Sequence, residues 1–246
     1  MIAGMDIIDA YAHCGIRKYK PYEDLNRAMK LGGVVRTVLA EHRGEYDHSY
    51  ILGVVQKEPS RFRGVFLVDF ASASAVVDTT RWGTRKDRAF RGIRMPVETL
   101  GTHRGVWLWA AQLGLNFVVD GDLANAAPLL DRFAREMPKN AIQITHLGAM
   151  AKSVLALAER PNIHVQISGM HQFGKLPYTA QRPWVEQLLR AFGDSRLLYA
   201  SNFPVMRDES VYLKEIELLT SGELGIPAGS AQKVMHDNAA RLWFRD

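Results

Sequence analysis

Eight short apolar runs rich in Val, Ile and Leu recur along the chain. They are Met5–Ala10, Gly33–Ala40, Gly64–Asp69, Phe90–Met95, Leu115–Asp120, Ala141–His146, Asn162–Ser168 and Arg196–Ser201. Several are apolar at almost every position (VVRTVLA, GVFLVD, NFVVD) rather than at alternate ones. Strands covered on both faces, as in a parallel sheet, have that pattern. Between the runs lie segments of helical period. Tyr22–Leu31 puts Tyr22, Leu25 and Met29 on one side. Leu123–Met137 aligns Ala126, Leu129, Leu130, Phe133 and Met137, and Trp184–Phe192 aligns Val185, Leu188, Leu189 and Phe192. Asp208 is the expected cap of a helix running to Leu219. Ser230, after the Pro227-Ala-Gly turn, is the expected cap of a closing helix that ends at Trp243.

Eight such runs in 246 residues leave about 31 residues for each, the size of a βα unit. No linker, low-complexity stretch or break in composition divides the chain. The pattern predicts an α/β fold, a single (β/α)8 TIM barrel spanning residues 1–246 as one domain. A doubly wound open sheet is the competing arrangement. It would want a glycine-rich phosphate loop after an early strand, and neither G-x-G-x-x-G nor a P-loop is present.

A barrel carries its site where its strands end. The residues expected there are Tyr11 and His13, Glu41 and His42, Asp69, Arg94, Asp120, His146, Ser168 and His171, Ser201 and Asn202. This gathering of polar and titratable groups exceeds what packing needs.

Charge narrows the partners. There are 31 Lys and Arg against 26 Asp and Glu, a formal charge of +5. The excess lies in the first hundred residues, densest from Arg81 through Arg85, Lys86, Arg88 and Arg91 to Arg94. A nucleic-acid surface would bring more charge interleaved with aromatics, so this cluster reads as a solvated helix face and no nucleic-acid partner is expected. No apolar run reaches the roughly 18 residues of a membrane span, and no membrane association is expected. The opening MIAGMDIID has no basic cluster ahead of an apolar stretch, so no secretory signal is expected. Cys14 is the single cysteine, which suits a cytoplasmic location. A homo-oligomer is compatible with all of this.

Three segments hold candidate chemistry. In Asp9-Ala-Tyr-Ala-His13, side chains two apart on a strand share a face, so Asp9, Tyr11 and His13 are expected to point together into the mouth. Thr145-His146-Leu147-Gly148 sets a histidine before a glycine turn. Asn202-Phe203-Pro204 follows the last strand; an asparagine orients a substrate or a water but cannot act as a base.

These segments also carry a resemblance. IIDAYAH, RFRGVFLVD, FRGIRM, ITHLG, NIHVQISG, RLLYASNFP and NAARLW, in this order and spacing, resemble the amidohydrolase-related metal-dependent hydrolases of the amidohydrolase 2 branch. Within it they are most similar to the 2-pyrone-4,6-dicarboxylate lactonase and sugar-lactonase group. The resemblance covers nearly the whole chain and implies hydrolysis in a barrel mouth, often with zinc. The family's pattern is D-x-H-x-H after the first strand, histidines after the middle strands and S-D-x-P after the last. His13 matches the second histidine of the first motif and His146 the histidine of H-x-G; these two are the metal-ligand candidates. Tyr11 replaces the first histidine, Asn202 replaces the last aspartate, and Asp120 falls near a position where histidine is common. A catalytic zinc generally takes three protein ligands and a water, so zinc is the implied cofactor but the usual ligand set is incomplete. The missing aspartate is the group that normally activates water.

Arg94 matches the arginine of G-[VI]-R, where the lactonase branch holds an anionic substrate. A guanidinium fork binds a carboxylate with two parallel bonds. The competing role for Arg94 is an ion pair with Asp69 or Asp120. His171 and Tyr178 lie in a loop resembling the family's substrate-covering segment. The expected activity is therefore hydrolysis of a small carboxylate-bearing lactone or related cyclic ester, with His13, His146, Asp120 and Asn202 as catalytic candidates. Arg94, Tyr11, His171 and Tyr178 are expected to hold the small anionic organic substrate. A non-hydrolytic member that binds a small organic acid and a decarboxylase of the same family are the alternatives.

Overall fold

The structure, a computed structural model, describes residues 4–206 and 209–245. Eight parallel strands lie side by side in chain order. They are β1 (Ile7–Ala12), β2 (Val34–Ala40), β3 (Phe62–Phe66), β4 (Phe90–Pro96), β5 (Asn116–Asp120), β6 (Ile142–Ile144), β7 (Ile163–Ile167) and β8 (Leu197–Tyr199). Helices follow the strands: α1 (Tyr22–Gly32), α2 (Ser49–Lys57), α3 (Ala75–Gly83), α4 (Thr99–Thr102), α5 (Arg104–Gln112), α6 (Leu123–Glu136), α7 (Ser153–Ala156), α8 (Arg182–Phe192) and α9 (Glu209–Thr220). The chain closes with α10 (Ala228–Gln232), a wider π turn at Lys233–Asp237, and α11 (Asn238–Trp243). This is the (β/α)8 barrel that the periodicity predicts.

Two apolar layers follow from the continuous strand pattern. One side of each strand packs against the helices, as with Ile7, Phe62, Ile93, Phe117 and Ile163. The other fills the barrel interior with Ile8, Ala10, Val38, Val65, Val118 and Leu198. Trp243 from the last helix plugs the interior from below, donating its indole N–H to Gln143 Oε1 at 3.0 Å. Gly92 makes room for it: a Cβ there would lie 2.8 Å from the Trp243 ring.

The border between β8 and β1 is closed differently from the other seven, which are parallel ladders. Here the Asn202 N–H donates to the Tyr11 carbonyl (2.9 Å) and the His13 N–H to the Phe203 carbonyl (2.7 Å). These bonds fasten the two loops that carry site residues.

Several local expectations are corrected. β1 does not alternate to its end: Ala10 and Tyr11 both join the interior cluster, with a register shift between Asp9 and Ala12. A bulge inserts one residue and breaks the period of two, so Asp9 points away from Tyr11, outward toward α9, where it meets Tyr212. β3 ends at Phe66, which leaves Asp69 in the following loop, accepting the Ala71 N–H. Ser230 is not the helix cap: the helix starts from Pro227 and the Ser230 hydroxyl bonds Asp194. Asp208 lies outside the described residues. Inside α6, Pro128 frees the Ala124 carbonyl by lacking an N–H, and the Ser153 hydroxyl reaches that carbonyl at 3.2 Å.

Candidate active site

The C-terminal mouth collects side chains from β1, β2, β4, β5, β6 and the loop after β8. His13 is buried. Its Nδ1 lies 2.7 Å from the Ala40 carbonyl and its Nε2 lies 3.3 Å from Asn202 Oδ1. A carbonyl only accepts, so Nδ1 carries the proton and Nε2 presents a lone pair. The Asn202 amide therefore faces that lone pair as a donor when its N and O are exchanged, an assignment that the hydrogen-bond network decides. Burial, and after it the nearby Arg94 charge, push His13 down to about 3. The ring is neutral at neutral pH.

His146 sits at the head of a left-handed turn. His146, Leu147, Gly148, Ala149 and Met150 all have φ between 50° and 62°. For residues with a Cβ this conformation costs roughly 1–2 kcal/mol each, so the surrounding packing holds it. The Trp184 indole clamps the Leu147 carbonyl (2.8 Å), and Ser168 Oγ lies 3.0 Å from the His146 N–H and 3.1 Å from Nδ1. Gly169, itself at φ +63°, leaves the space: a Cβ there would lie 2.6 Å from His146 Nδ1. Burial lowers His146 to about 4, opposed by the Asp120 charge.

The Tyr11 ring touches both imidazoles edge-on, with centroids 4.7 Å from His13 and 5.9 Å from His146. Its hydroxyl is buried without a partner, and burial raises it far above the ordinary phenol range. It is a standing proton donor. Tyr19, from the loop after β1, stacks on the outer face of His13 at 4.8 Å.

Arg94 and Asp120 form a buried ion pair, Nη2 to Oδ2 at 2.6 Å, and Nη1 donates to the Glu41 carbonyl at 2.8 Å. Arg43, half exposed, reaches the same Asp120 oxygen at 3.1 Å and also Glu98 at 3.5 Å. Burial pushes the Asp120 carboxyl upward, but the two guanidiniums prevail and hold it below its ordinary value. It is an ionised and well-satisfied carboxylate at Oδ2. Its Oδ1 and Arg94 Nε are buried with no partner. Of the two roles set out for Arg94, the ion pair is present, and its partner is Asp120 rather than Asp69.

The other expected residues divide. His171 is half buried, with neither ring nitrogen bonded, and lies near enough to His146 to lower it. Tyr178 is buried, and its hydroxyl donates to Glu215 on α9 at 3.1 Å, which leaves the phenol no free donor for a substrate. Glu41 is buried beside His48 at 3.5 Å. Tyr19 and Arg43 were missed from the sequence because they lie in loops, where no period marks direction; the basic residue following Glu41-His42 at a strand end was the available signal for Arg43.

The donor set does not suit the zinc ion that the resemblance implies. Among the described residues no three His, Cys, Asp or Glu side chains converge. His13 and His146 offer one nitrogen each, and Asp120 Oδ2 is committed to two guanidiniums.

The family model described as Amidohydrolase matches residues 6–245. The chain belongs to the amidohydrolase family. This amidohydrolase is 28% identical to the L-fucono-1,5-lactonase of Burkholderia ambifaria over 205 residues, 75% of this chain and 70% of that protein. It is 31% identical to protein y4mH of Sinorhizobium fredii over 122 residues, 45% of this chain and only 41% of that protein. Its fold matches a Pseudomonas putida protein that carries the name of a 2-pyrone-4,6-dicarboxylic acid hydrolase (TM-score 0.77, 21% identity, 97% of each chain). It also matches 2,6-dihydroxybenzoate decarboxylase from Rhizobium (TM-score 0.74, 14% identity, 97% and 98% covered). Proteins named as a hydrolase and as a decarboxylase thus share this amidohydrolase's barrel.

Proposed function

We propose that this amidohydrolase opens small carboxylate-bearing lactones at the C-terminal mouth, using its own side chains to polarise the carbonyl and activate water. One observation carries the reading. Buried polar atoms with no partner (Tyr11 Oη, Arg94 Nε and Asp120 Oδ1) collect beside two neutral imidazoles. A buried polar atom left unpaired costs about 1–3 kcal/mol, and a polar ligand removes that cost.

The roles follow from protonation. Arg94 and the more exposed Arg43 take the substrate carboxylate. The Tyr11 hydroxyl donates to the lactone carbonyl, and that bond strengthens as charge develops on the oxygen. His146, its Nδ1 engaged by Ser168, has Nε2 left to accept a proton from water. The water oxygen bonds the carbonyl carbon, the ring C–O bond breaks, and His146 returns the proton to the leaving alkoxide. Asp120 stabilises the transient imidazolium, as its upward pull on His146 indicates. Asn202 cannot replace the absent base; it holds His13 in place.

A panel of five- and six-membered lactones with and without a carboxylate, assayed by proton release, tests this. The expected result is faster turnover of the carboxylate-bearing members, reduced about 10²–10⁴-fold in His146→Ala, the usual scale for general-base loss. Tight binding of the acids without turnover would establish the binding-protein reading instead, and CO2 release from an aromatic acid the decarboxylase reading.

A further inference from the structure

Behind the β8–β1 seam, on the helix side of the barrel, lies a buried polar cluster that the mechanism does not use. β1 supplies Asp9, β8 supplies Tyr199, α9 supplies Tyr212 and Glu215, and the loop before α8 supplies Tyr178. All five are buried. Two carboxyls share this space, and among the described residues no Lys, Arg or His is paired with either. A carboxylate placed in such surroundings destabilises the fold unless its lone pairs are taken up. An Asp at this position therefore calls for a reason other than stability.

Its bonds supply one. Asp9 Oδ1 accepts the backbone N–H groups of Tyr11 (3.2 Å) and Ser201 (2.9 Å). Oδ2 accepts the Ser201 hydroxyl at 2.5 Å. The Ser201 oxygen in turn accepts the Phe203 N–H at 2.9 Å. Every strong acceptor bond of Asp9 thus ends on a residue adjoining the mouth. Ser201 and Phe203 bracket Asn202, whose backbone is held at φ +59° and whose amide meets His13 Nε2. Tyr11 is the hydrogen-bond donor to the lactone carbonyl in the proposed reaction. The Tyr212 phenol stands at 3.5 Å from Oδ2, too long to add much.

We propose that Asp9 is a positioning residue: from outside the barrel its carboxylate fixes the Ser201–Phe203 turn and the bulge at Tyr11, and thereby seats Asn202 against the His13 imidazole. The seam is where such a device is needed, because β1 and β8 lack the ladder that sets register at the other borders. The proposal rests on the reading that His13 and Asn202 belong to the site, but not on which reaction the site performs. Burial raises the Asp9 carboxyl to about 6 against the lowering pull of the Ser201 and Tyr11 bonds, and raises Glu215 to about 8.

Asp9→Asn in the full chain tests this. Asparagine keeps one acceptor and loses the one for the Ser201 hydroxyl. The readouts need no substrate: the ¹⁵N resonance of His13 Nε2 and hydrogen exchange of the Asn202 amide. The expected result is a displaced Nε2 resonance and exchange at least about tenfold faster at Asn202, with the β4 and β5 amides unchanged. Tyr212→Phe, which removes the long contact to Asp9 and leaves its Ser201 and Tyr11 bonds in place, should leave both signals unchanged. If Asp9→Asn fails to fold, Ser201→Ala removes the same hydroxyl bond and leaves the carboxylate, and it should shift the same resonance. An unchanged His13 resonance and unchanged Asn202 exchange in whichever variant folds would reduce Asp9 to a structural residue and overturn the proposal. Activity measured alongside separates the two readings: altered seating without any lactone turnover in the parent protein would sink the hydrolase and keep the positioning role.

Discussion

Replacing Arg94 with methionine separates its structural from its binding role, because the side-chain volume stays similar while the charge goes. In the native protein Arg94 makes a 2.6 Å bond to Asp120 and a 2.8 Å bond to the Glu41 carbonyl, all three groups being buried. Removing one member of a buried pair costs about 3–5 kcal/mol when the other is left bare. Here Arg43 remains 3.1 Å from the same oxygen, so the loss should fall at the lower end, about 3 kcal/mol, or roughly 6–12 °C in Tm for a chain of this length. The pH dependence carries the mechanism. In the native protein Asp120 is held below its ordinary value, so the stability it contributes is present above the unfolded-state pKa and is lost as pH falls through the lower folded value. Without Arg94, burial dominates and raises the carboxyl above its unfolded value. The variant then sheds its penalty by protonating Asp120 as pH falls from neutral toward 4. Urea denaturation at pH 7 and pH 4.5 should therefore show the gap between the two proteins narrowing in acid. A gap below about 1 kcal/mol at pH 7, or one that widens in acid, would refute the buried pair as a stabilising unit. Acid affinity of the folded variant then reports the binding role, with an expected loss of about 1.5–3 kcal/mol for a charged hydrogen bond and a much smaller loss for an uncharged analogue.

Three further outcomes are expected. Gly92→Ala forces a methyl to within 2.8 Å of the Trp243 ring and 2.7 Å of the Asn116 carbonyl; overpacking of this kind costs about 1–3 kcal/mol, read as a lowered Tm with substrate affinity unchanged once folded. Gly169→Ala presses on His146 Nδ1 and strains a left-handed backbone, so turnover should fall by a larger factor than stability alone explains, and equal turnover at equal folded fraction would contradict the placement of His146. In ¹⁵N-detected titrations both His13 and His146 should remain neutral from pH 8 to pH 5, since burial lowers them to about 3 and 4; an inflection near 6.5 in either ring would show it to be solvated.

The barrel was legible because eight apolar runs at βα spacing leave one domain-sized arrangement. The mouth was legible at His13, Arg94, Asp120, His146 and Asn202 because each stands at or just past the end of such a run. What stayed hidden has specific physical causes. A period of two cannot register an inserted residue, so the bulge that turns Asp9 out of the barrel leaves no trace in IIDAYAH. GVFLVD is apolar past the point where the β3 ladder stops, since Leu67 and Val68 are buried as loop residues, and Asp69 lies in the loop three residues beyond the strand. Tyr178 lies in a segment that resembles a substrate cover, but its direction is set by Glu215, a carboxylate on α9 that in sequence reads as surface.

The resulting site has an unusual charge arrangement. Arg94 and Arg43 both face Asp120, and Arg43 also reaches Glu98 at 3.5 Å, while His13, His146 and Tyr11 are kept neutral by burial. Two guanidiniums thus converge on one buried carboxylate. An anionic substrate gives those guanidiniums a further partner, and a neutral one does not. Discrimination by substrate charge should accordingly depend on salt only weakly, because the Arg94–Asp120 pair is shielded from solvent and screening acts mainly on exposed charges. Arg43, half exposed, is the one member that ionic strength reaches. A preference for carboxylate-bearing lactones that disappears between 0.05 and about 0.5 M salt would assign the selection to Arg43 alone; one that persists assigns it to Arg94.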